Sequence, residues 1–421
     1  MIPSPFDKQV AFLPSDRIEV YEHCRSLYNL TQQDNGNERS FSEFIRRTAF
    51  ALLGGNRHVD NVLERAANEK RAPRILLFRY DAVGDYIVTS PFVRYMQEAV
   101  PNVEIDVVAS SRNAGMIKHD PFISEVAAIH PGHSPHPSWA AVRKHSARRP
   151  PDIVAALVFT KMTKAAILAS FAGSQAARVT IEHSRRKETY GKVFDLQISH
   201  QVAKEHYMET MTKVGPAICG ASAKEPEPYI VIESSSLSNT VQRLKHIDCG
   251  YSLPATRGIV PEKGHALHNP GLAGRPYVVI NVSAYSPNRQ WNAHIACCVA
   301  NEIARQRPEI VCFVTGGPDA SELVSVAANA TNHPRVHQWK GTLAEFSALI
   351  AGASLVVTPD TAAVHMASAC KVPVVALYAE IIKVAEWFPY NTKYRALLSP
   401  NPNTINDITV DFVSNHALEL V

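Results

Sequence analysis

The sequence predicts an α/β protein with two doubly wound, Rossmann-like domains and a helical N-terminal extension. From Arg74 onwards, short apolar runs rich in β-branched residues alternate with helix-like stretches, a pattern typical of a parallel sheet covered on both faces. The alternation breaks in a segment rich in glycine and proline and starts again at Tyr277. We therefore expect four regions: an extension over residues 1–72, a first domain over 73–247, a linker over 248–276 and a second domain over 277–421.

Length and composition agree with this architecture. The chain has 421 residues, of which 46% are apolar, and this supports more than one core. No run reaches the roughly 18 apolar residues of a membrane-spanning helix, and the first residues lack the order of a signal peptide. The seven cysteines include no C-x-x-C pair, so we expect no disulfide framework. We predict a cytoplasmic protein, and we leave open a contact with the inner face of the cytoplasmic membrane.

The N-terminal extension is amphipathic. Apolar residues recur at the helical spacing in the stretches DRIEVYEHCRSLYNL and SFSEFIRRTAFALL. The second stretch carries an apolar stripe that includes Phe41, Phe44 and Phe50. A stripe of this kind would be exposed on an isolated helix, so we expect it to pack onto the rest of the protein.

A turn with an unusual carboxylate follows the first predicted strand, RILLFRY. A dinucleotide-binding chain would usually have the pattern G-x-G-x-x-G at this point. This chain has the single glycine Gly84 followed by Asp85, just where a helix begins. The residues alone leave two interpretations of Asp85, a plain helix cap and a carboxylate that acts on a ligand.

The second domain presents polar side chains at the ends of two predicted strands. In the stretch INVSAYSPNRQWN, Asn281 and Ser283 lead to Arg289, whose guanidinium can bind a diphosphate with two donors at once. In the stretch VTGGPD, Gly316 and Gly317 follow the next strand, and paired glycines let the backbone approach a ligand closely.

A third strand of the second domain ends directly before a helix, in the stretch SLVVTPDTAAVHMASA. Asp360, Thr361 and Ala362 lie at this junction. The free N–H groups of a helix N-terminus can hold a phosphate, whereas Asp360 can either accept hydrogen bonds from sugar hydroxyls or cap the helix. Together, the strand ends predict a site for a nucleotide-diphosphate sugar.

Two basic clusters occur in the first domain, VRKHSARR and EHSRRK. They are typical of solvated surfaces, and they are also suited to a phosphorylated acceptor or an anionic leaflet. Arg178, Arg185 and Arg186 are the candidates for binding such an acceptor. Neither cluster resembles a nucleic-acid motif. The histidine-rich loop HPGHSPH contains no cysteine or carboxylate, so we predict no metal site there.

Three motifs in this order resemble the ADP-heptose:lipopolysaccharide heptosyltransferase family, glycosyltransferase family 9. They are the Gly84–Asp85 turn with Pro91 after it, the loop NRQWN and the stretch PDTAAVHMASACKVPVVALY. The resemblance covers roughly Arg74 to Tyr378 and implies the GT-B architecture, in which two Rossmann-like domains face a cleft. It also implies an inverting transfer of a heptose from a nucleotide-diphosphate donor, ADP-heptose, to a lipopolysaccharide core or another cell-surface glycan, without a metal or other cofactor.

The resemblance also assigns roles to individual residues. Asp85 matches the proposed catalytic base, with Gly84 beside the acceptor. Arg289 stands where the family commonly has a lysine on the donor phosphates. Asp360 matches the acidic residue on the donor sugar, and Thr361 and Ala362 lie by the diphosphate. Ala362 replaces a frequent glycine, His365 matches a histidine to which we assign a structural role, and the segment before Arg74 has no counterpart in shorter members.

Three other functions stay open on the sequence. The first is a protein O-heptosyltransferase, because the added N-terminal segment leaves room for a different acceptor. The second is a GT-B sugar-nucleotide epimerase, which needs no acceptor and is separated from a transferase by product analysis with and without one. The third is a non-catalytic GT-B binding module that contacts a partner through its N-terminal helices.

Overall fold

The computed structural model describes residues 9–22, 24, 48, 50, 51, 59, 62–132, 135–182, 186–202, 204–220, 227–253, 258–266, 269–317, 320–331 and 333–421. These residues divide into two compact units. The C-terminal unit comprises those within Met1–Leu30, Val202–His206 and Pro228–Val421, and the N-terminal unit comprises those within Thr31–Gln201 and Tyr207–Glu227. Apart from the segment Val202–His206, the chain passes from the N-terminal unit to the C-terminal unit between residues 227 and 228.

The N-terminal extension contributes to both units. Its first described strand, β1 (Val10–Phe12), pairs in antiparallel fashion with residues Ala396–Leu398 of the C-terminal unit. A 3₁₀ turn at Pro14–Asp16 and helical residues 17–22 follow. Phe50 is buried in the core of the N-terminal unit, as expected for the apolar stripe, whereas Phe41 and Phe44 lie outside the described residues. The extension, which we predicted as helical, therefore also contains a strand.

The N-terminal unit is built around a parallel sheet whose strands are β2 (Arg74–Phe78), β3 (Glu104–Ser110), β4 (Glu125–Ile129), β5 (Ile153–Ala156), β6 (Ala177–Ile181) and β7 (Leu196–Ile198). The strand order is β4-β3-β2-β5-β6-β7, which is doubly wound as the sequence predicted. The helices are α1 (Val62–Asn68), α2 (Val83–Ala99), α3 (Ala114–Ile117), α4 (His136–Arg148), α5 (Met162–Ala172), α6 (Lys187–Tyr190) and α7 (Tyr207–Cys219). The central strand β2 is an apolar run that is buried from Ile75 onwards, as expected for a strand covered on both faces.

The C-terminal unit contains a larger sheet and a small one. After β8 (Ile230–Ile232), α8 (Ser234–His246) and β9 (Ile259–Pro261), the strands are β10 (Tyr277–Asn281), β11 (Val311–Thr315), β12 (Val336–Trp339), β13 (Leu355–Pro359), β14 (Val374–Tyr378) and β15 (Tyr394–Leu398). The helices between and after them are α9 (Ala293–Gln306), α10 (Ser321–Thr331), α11 (Leu343–Ala351), α12 (Ala362–Ala369), α13 (Ile381–Trp387) and α14 (Val410–Leu418). The large sheet has the order β1-β15-β14-β13-β10-β11-β12, and β8 pairs with β9 separately.

The order of the large sheet creates a topological switch point between β10 and β13. The chain leaves β10 to form β11 on one side, and it returns to the other side of β10 to form β13. Ligands of doubly wound sheets bind at the carboxyl ends of the strands that flank such a point. Among the described residues, no helix has both the length and the apolar character needed to cross a membrane.

A partly buried ion pair lies at the amino ends of two strands of the N-terminal sheet, β2 and β5. Both terminal nitrogens of Arg71 donate to the carboxylate of Asp152 at 2.7 Å, and the same carboxylate accepts the backbone N–H of Arg74 at 2.9 Å. The Asp152 side chain is only 5% exposed. Its carboxylate thus joins the start of β2 to the residue that precedes β5.

We expect the substitution Asp152→Asn to lower the midpoint of thermal unfolding. It removes the charge from a buried carboxylate whose arginine partner is 39% exposed, and we expect this loss to cost about 1–3 kcal/mol. Glu302→Gln is the matched control, because it breaks the pair with Arg305, which is 68% exposed, and such pairs contribute little. If both variants had the same midpoint as the wild type, the anchoring role of Asp152 would be refuted.

Candidate functional site

Asn281 connects the two strand ends at the switch point of the C-terminal sheet. It is the last residue of β10 and is buried. Its Nδ2 donates to Thr358 Oγ1 at 3.0 Å and lies 3.4 Å from Thr361 Oγ1. Because Thr358 belongs to β13 and Thr361 follows it, this one amide fixes the loops of both strands relative to each other.

Arg289 and Asp360 form an ion pair at the same place. Arg289 Nη1 donates to Asp360 Oδ2 at 2.8 Å and to the Asp360 carbonyl oxygen at 3.0 Å. The Asp360 side chain is buried, whereas that of Arg289 is 29% exposed. Burial raises the pKa of Asp360 above its ordinary value, although the charge of Arg289 acts in the opposite direction.

The remaining donors of Arg289 are available to a ligand. Within the described part of the chain, its Nε and Nη2 groups have no hydrogen-bond partner. An arginine fixed through one nitrogen presents the others in a planar arrangement that matches phosphate oxygens. The pair with Asp360 therefore orients the guanidinium and leaves its second edge open.

Thr361 caps the helix that follows β13. Its Oγ1 accepts the backbone N–H of Ala363 at 3.3 Å. The first turn of α12 thus begins beside Asp360, and a helix N-terminus favours negative charge. Ala362 is not among the residues with positive φ, so an alanine in place of the family's frequent glycine causes no backbone strain.

Ser283, Gly316 and Gly317 lie together at the ends of β10 and β11. Gly317 donates its backbone N–H to Ser283 Oγ. A Cβ at Gly316 would lie 3.0 Å from the side chains of Ser283, Val282 and Ala320, so a larger residue would fit there only if these side chains moved by a few tenths of an ångström. Ser283 and Gly317 also line a cavity of about 640 Å³, which Arg289 and Asp360 do not line.

In the N-terminal unit, Gly84 and Asp85 lie in the first turn of α2. The N-cap is Ala82, whose side chain makes no capping hydrogen bond. Asp85 is the third residue of the helix and is partly exposed, and its carbonyl oxygen accepts from Thr89 Oγ1 at 2.9 Å. Asp85 is therefore not the N-cap residue, and the positive end of the helix stabilises its carboxylate.

The turn before Asp85 contains a buried ion pair that we did not single out in the sequence. Arg79 Nη1 donates to Asp81 Oδ2 at 2.8 Å, and Asp81 Oδ2 also accepts the backbone N–H of Phe159 at 3.0 Å. Asn113 Nδ2 donates to the Arg79 carbonyl at 2.8 Å. The signal was the charged pair in FRYD directly after an apolar run, because charges rarely follow a buried strand without a partner.

The arginine candidates for acceptor binding are in different places. Arg178 is buried near the amino end of β6, where its Nη2 donates to the Ser170 carbonyl at 3.3 Å. Gly84 follows the carboxyl end of β2, on the opposite side of the sheet from the amino end of β6. The structure therefore does not bring Arg178 to Gly84 and Asp85. Arg186 is the partly exposed N-cap of α6, and Arg185 lies outside the described residues.

The histidine-rich loop is only partly described. His133 lies outside the described residues. Across the ranges that the structure describes, no group of three or more histidine, cysteine, aspartate or glutamate side chains is arranged to hold a metal ion.

Two doubly wound units, with polar side chains at the switch point of the second, have the architecture of the GT-B class of proteins. The family model described as glycosyltransferase family 9 (heptosyltransferase) matches residues 152–411, more than half of the chain. The chain belongs to this family, as its resemblance predicted. Gly84 and Asp85 lie before the matched range.

Solved structures share the fold. A glycosyltransferase family 9 protein of Veillonella parvula superposes with a TM-score of 0.63 at 18% identity and covers 83% of this chain and 97% of its own. ADP-heptose lps heptosyltransferase II of E. coli superposes with a TM-score of 0.58 at 18% identity, and the match covers 82% of this chain and 98% of its own. E. coli heptosyltransferase WaaC with ADP-2-deoxy-2-fluoro heptose superposes with a TM-score of 0.59 at 17% identity, and the match covers 83% of this chain and 100% of its own. No curated protein matches the chain.

His365 in α12 is buried and packs as a neutral ring. Burial lowers its pKa to about 4, and its ring lies edge-on to Trp387 with the centroids 5.6 Å apart. Because the folded state resists protonation of this ring, the unfolded state binds the proton more readily. The stability that the neutral His365 ring contributes is therefore fully present above the ordinary pKa of histidine, and this contribution is lost as the pH falls towards 4.

We expect acidification to destabilise the wild type more than the variant His365→Gln. Between about pH 7 and pH 5 the difference is about 2 kcal/mol, because the unfolded histidine titrates near 6.5. Urea unfolding at several pH values measures this slope. His294→Gln is the control, since this histidine is exposed. An equal slope for the wild type and His365→Gln would contradict the buried neutral state.

Proposed function

We propose that this glycosyltransferase moves a heptose from ADP-heptose to a hydroxyl of a lipopolysaccharide core or another cell-surface glycan, with inversion at the anomeric carbon. The observation that carries the proposal is the pair of Arg289 with Asp360 beside the first turn of α12. It combines a fixed cation with a helix N-terminus, and both stabilise a diphosphate. The family assignment favours transfer over the epimerase and non-catalytic alternatives.

The donor is held by the C-terminal unit in this proposal. The open edge of Arg289 binds the diphosphate, together with the backbone of Thr361 and Ala362. Asn281 and Ser283 keep the two loops in position, and the cavity lined by Ser283 and Gly317 leaves room near the phosphates for a nucleoside. Two of the similar solved structures are an ADP-heptose heptosyltransferase and a heptosyltransferase with an ADP-heptose analogue, and both support an adenine nucleotide as the donor.

Asp360 has a more indirect role than the resemblance implied. Its Oδ2 accepts from Arg289, so its first function is to position that cation. The second carboxylate oxygen can still accept a hydrogen bond from a sugar hydroxyl, and the two roles are compatible.

Asp85 acts as the general base. Its carboxylate removes the proton from the acceptor hydroxyl while that oxygen forms a bond to the anomeric carbon. The bond between the anomeric carbon and the diphosphate oxygen breaks, and its electron pair leaves with ADP. Arg289 and the start of α12 stabilise the charge that develops on ADP, so the proposed reaction uses no metal ion. Gly84 leaves space beside Asp85 for the acceptor.

The acceptor and the location complete the proposal. A glycan or lipid-linked saccharide is the expected acceptor, and Arg186 is retained as a candidate for binding its anionic groups. A protein hydroxyl is the alternative acceptor, because the chemistry at Asp85 would be the same. We place the reaction in the cytoplasm at the inner face of the cytoplasmic membrane.

Asp85→Asn should lower the rate constant of transfer about 10²- to 10⁴-fold, because positioned general bases contribute this much. Its affinity for ADP should stay that of the wild type. Product formation by mass spectrometry and ADP binding by calorimetry measure the two quantities. Glu98→Gln on the same helix is the control, because Glu98 is exposed. Full transfer by Asp85→Asn would refute the role of Asp85.

Arg289→Ala should weaken the binding of ADP by about tenfold or more, since a hydrogen bond to a charged group contributes about 1.5–3 kcal/mol. Arg289→Lys should retain part of the affinity, because it keeps the charge. Calorimetry measures the affinity of the wild type and both variants for ADP, and titration of the wild type with UDP tests the choice of nucleotide. Preference for UDP, or unchanged ADP binding by Arg289→Ala, would refute the donor assignment.

A further inference from the structure

The segment between β2 and α2 is joined to the ends of two neighbouring strands. Asp81 Oδ2 accepts the backbone N–H of Phe159, which follows β5, at 3.0 Å, and it accepts from Arg79 Nη1 at 2.8 Å. Asn113, which follows β3, donates its Nδ2 to the Arg79 carbonyl at 2.8 Å. The exits of β2, β3 and β5 therefore meet at these four residues, and we call Arg79, Asp81, Asn113 and Phe159 the β2-exit clamp.

The clamp lies directly before the helix that carries Asp85. Ala82, the residue after Asp81, is the N-cap of α2. On the other side of Asp85, Tyr86 donates its hydroxyl to Asp120 Oδ2 at 2.5 Å. Because the residues of a helical turn have a fixed arrangement, the place where α2 begins sets the direction of the Asp85 side chain.

Phe159 holds both charged members of the clamp. Its backbone N–H binds Asp81, and its ring lies 4.1 Å from the Cζ atom of Arg79. The same ring packs against Tyr207 of α7, with the centroids 4.4 Å apart. A guanidinium over an aromatic face is attracted by the ring, so Arg79 is oriented by the carboxylate and by the ring together.

The ion pair of the clamp is a poor source of stability. Arg79 and Asp81 are 0% and 4% exposed, and a buried ion pair is often no more stabilising than apolar residues of the same size. Within the part of the chain that the structure describes, Asp81 Oδ1 and Arg79 Nε have no hydrogen-bond partner, which lowers stability further. The buried carboxylates of Asp106 and Asp152 in the same unit use both of their oxygens. What the pair at Asp81 provides is a fixed position for the turn.

We infer that Asp81 is a positioning residue for Asp85. Through the clamp it fixes the start of α2, and thereby the direction from which the Asp85 carboxylate meets the acceptor hydroxyl. The inference deepens the proposed function and rests on the role of Asp85 as the base. A displacement of about 1 Å at a catalytic group can lower a rate about 100-fold, so a change at the buried Asp81 should act on the rate without any contact with the substrate.

The release of ADP from ADP-heptose by the full chain tests the inference. It is measured with heptose-deficient lipopolysaccharide as the acceptor and also with water alone, because a base that acts on a hydroxyl also activates water. Asp81→Ala removes the acceptor at the centre of the clamp and should lower kcat about 100-fold. The KM for ADP-heptose and the affinity for ADP should stay those of the wild type. Asp81→Asn keeps one acceptor oxygen without the charge and should have an intermediate kcat.

Asp106→Ala is the matched control. Asp106 is also 4% exposed, and it pairs with Arg149 and His145 in the same unit, but it lies in the amino-terminal half of β3. This control should lower the midpoint of thermal unfolding and keep the kcat of the wild type. An equal loss of kcat in Asp81→Ala and Asp106→Ala would overturn the inference. If Asp81→Ala does not fold, Asp81→Asn and Asp106→Asn provide the same comparison.

Combination with Asp85→Asn separates positioning from a general effect on the structure. If Asp81 acts through Asp85, Asp81→Ala has almost no further effect on kcat once the base is lost. A loss by the same factor with and without Asp85 would overturn the inference. Full activity of Asp81→Ala together with a loss in Asp85→Asn would overturn this inference alone, whereas full activity of Asp85→Asn would also refute the proposed base.

Discussion

The ion pair between Arg289 and Asp360 is the interaction on which the proposed donor site depends. An exposed arginine has many conformations, and ordering it on a ligand costs side-chain entropy. Here one nitrogen is fixed by the carboxylate and the carbonyl of Asp360, so much of that cost is met when the chain folds. Because Asp360 directly precedes the helix cap Thr361, the same pair places the cation beside the helix N-terminus.

The order of the strands explains why these groups meet. Arg289 follows β10 and Asp360 follows β13, and the two strands are parallel neighbours in the sheet although they are far apart in sequence. Asn281 adds a hydrogen bond across the same junction. The site is therefore a consequence of the sheet, and its rigid strands hold the polar side chains that their exit loops present.

Local sequence patterns predicted the strand ends that carry the polar residues. They did not predict the contacts between residues that are far apart in the sequence. The polar residues at the strand ends, such as Asn281, Arg289 and Asp360, could be found because they follow apolar runs directly. Their mutual hydrogen bonds could not, since the sequence does not show which exits are neighbours. Nor did it show that Arg178 is buried near the amino end of its strand, because a single arginine at the start of an apolar run does not indicate where its side chain lies. The strand β1 was missed because three residues carry too little periodicity to indicate pairing with a distant edge.

The most direct test of this account is a double-mutant cycle on ADP affinity, with Arg289→Ala, Asp360→Asn and the variant that combines both, measured by calorimetry. If Asp360 acts on the diphosphate by positioning Arg289, Asp360→Asn weakens ADP binding in the wild type but has almost no further effect once Arg289 is alanine. If the two losses instead add fully, Asp360 and Arg289 act independently, and the ion pair is not what prepares the site for the donor.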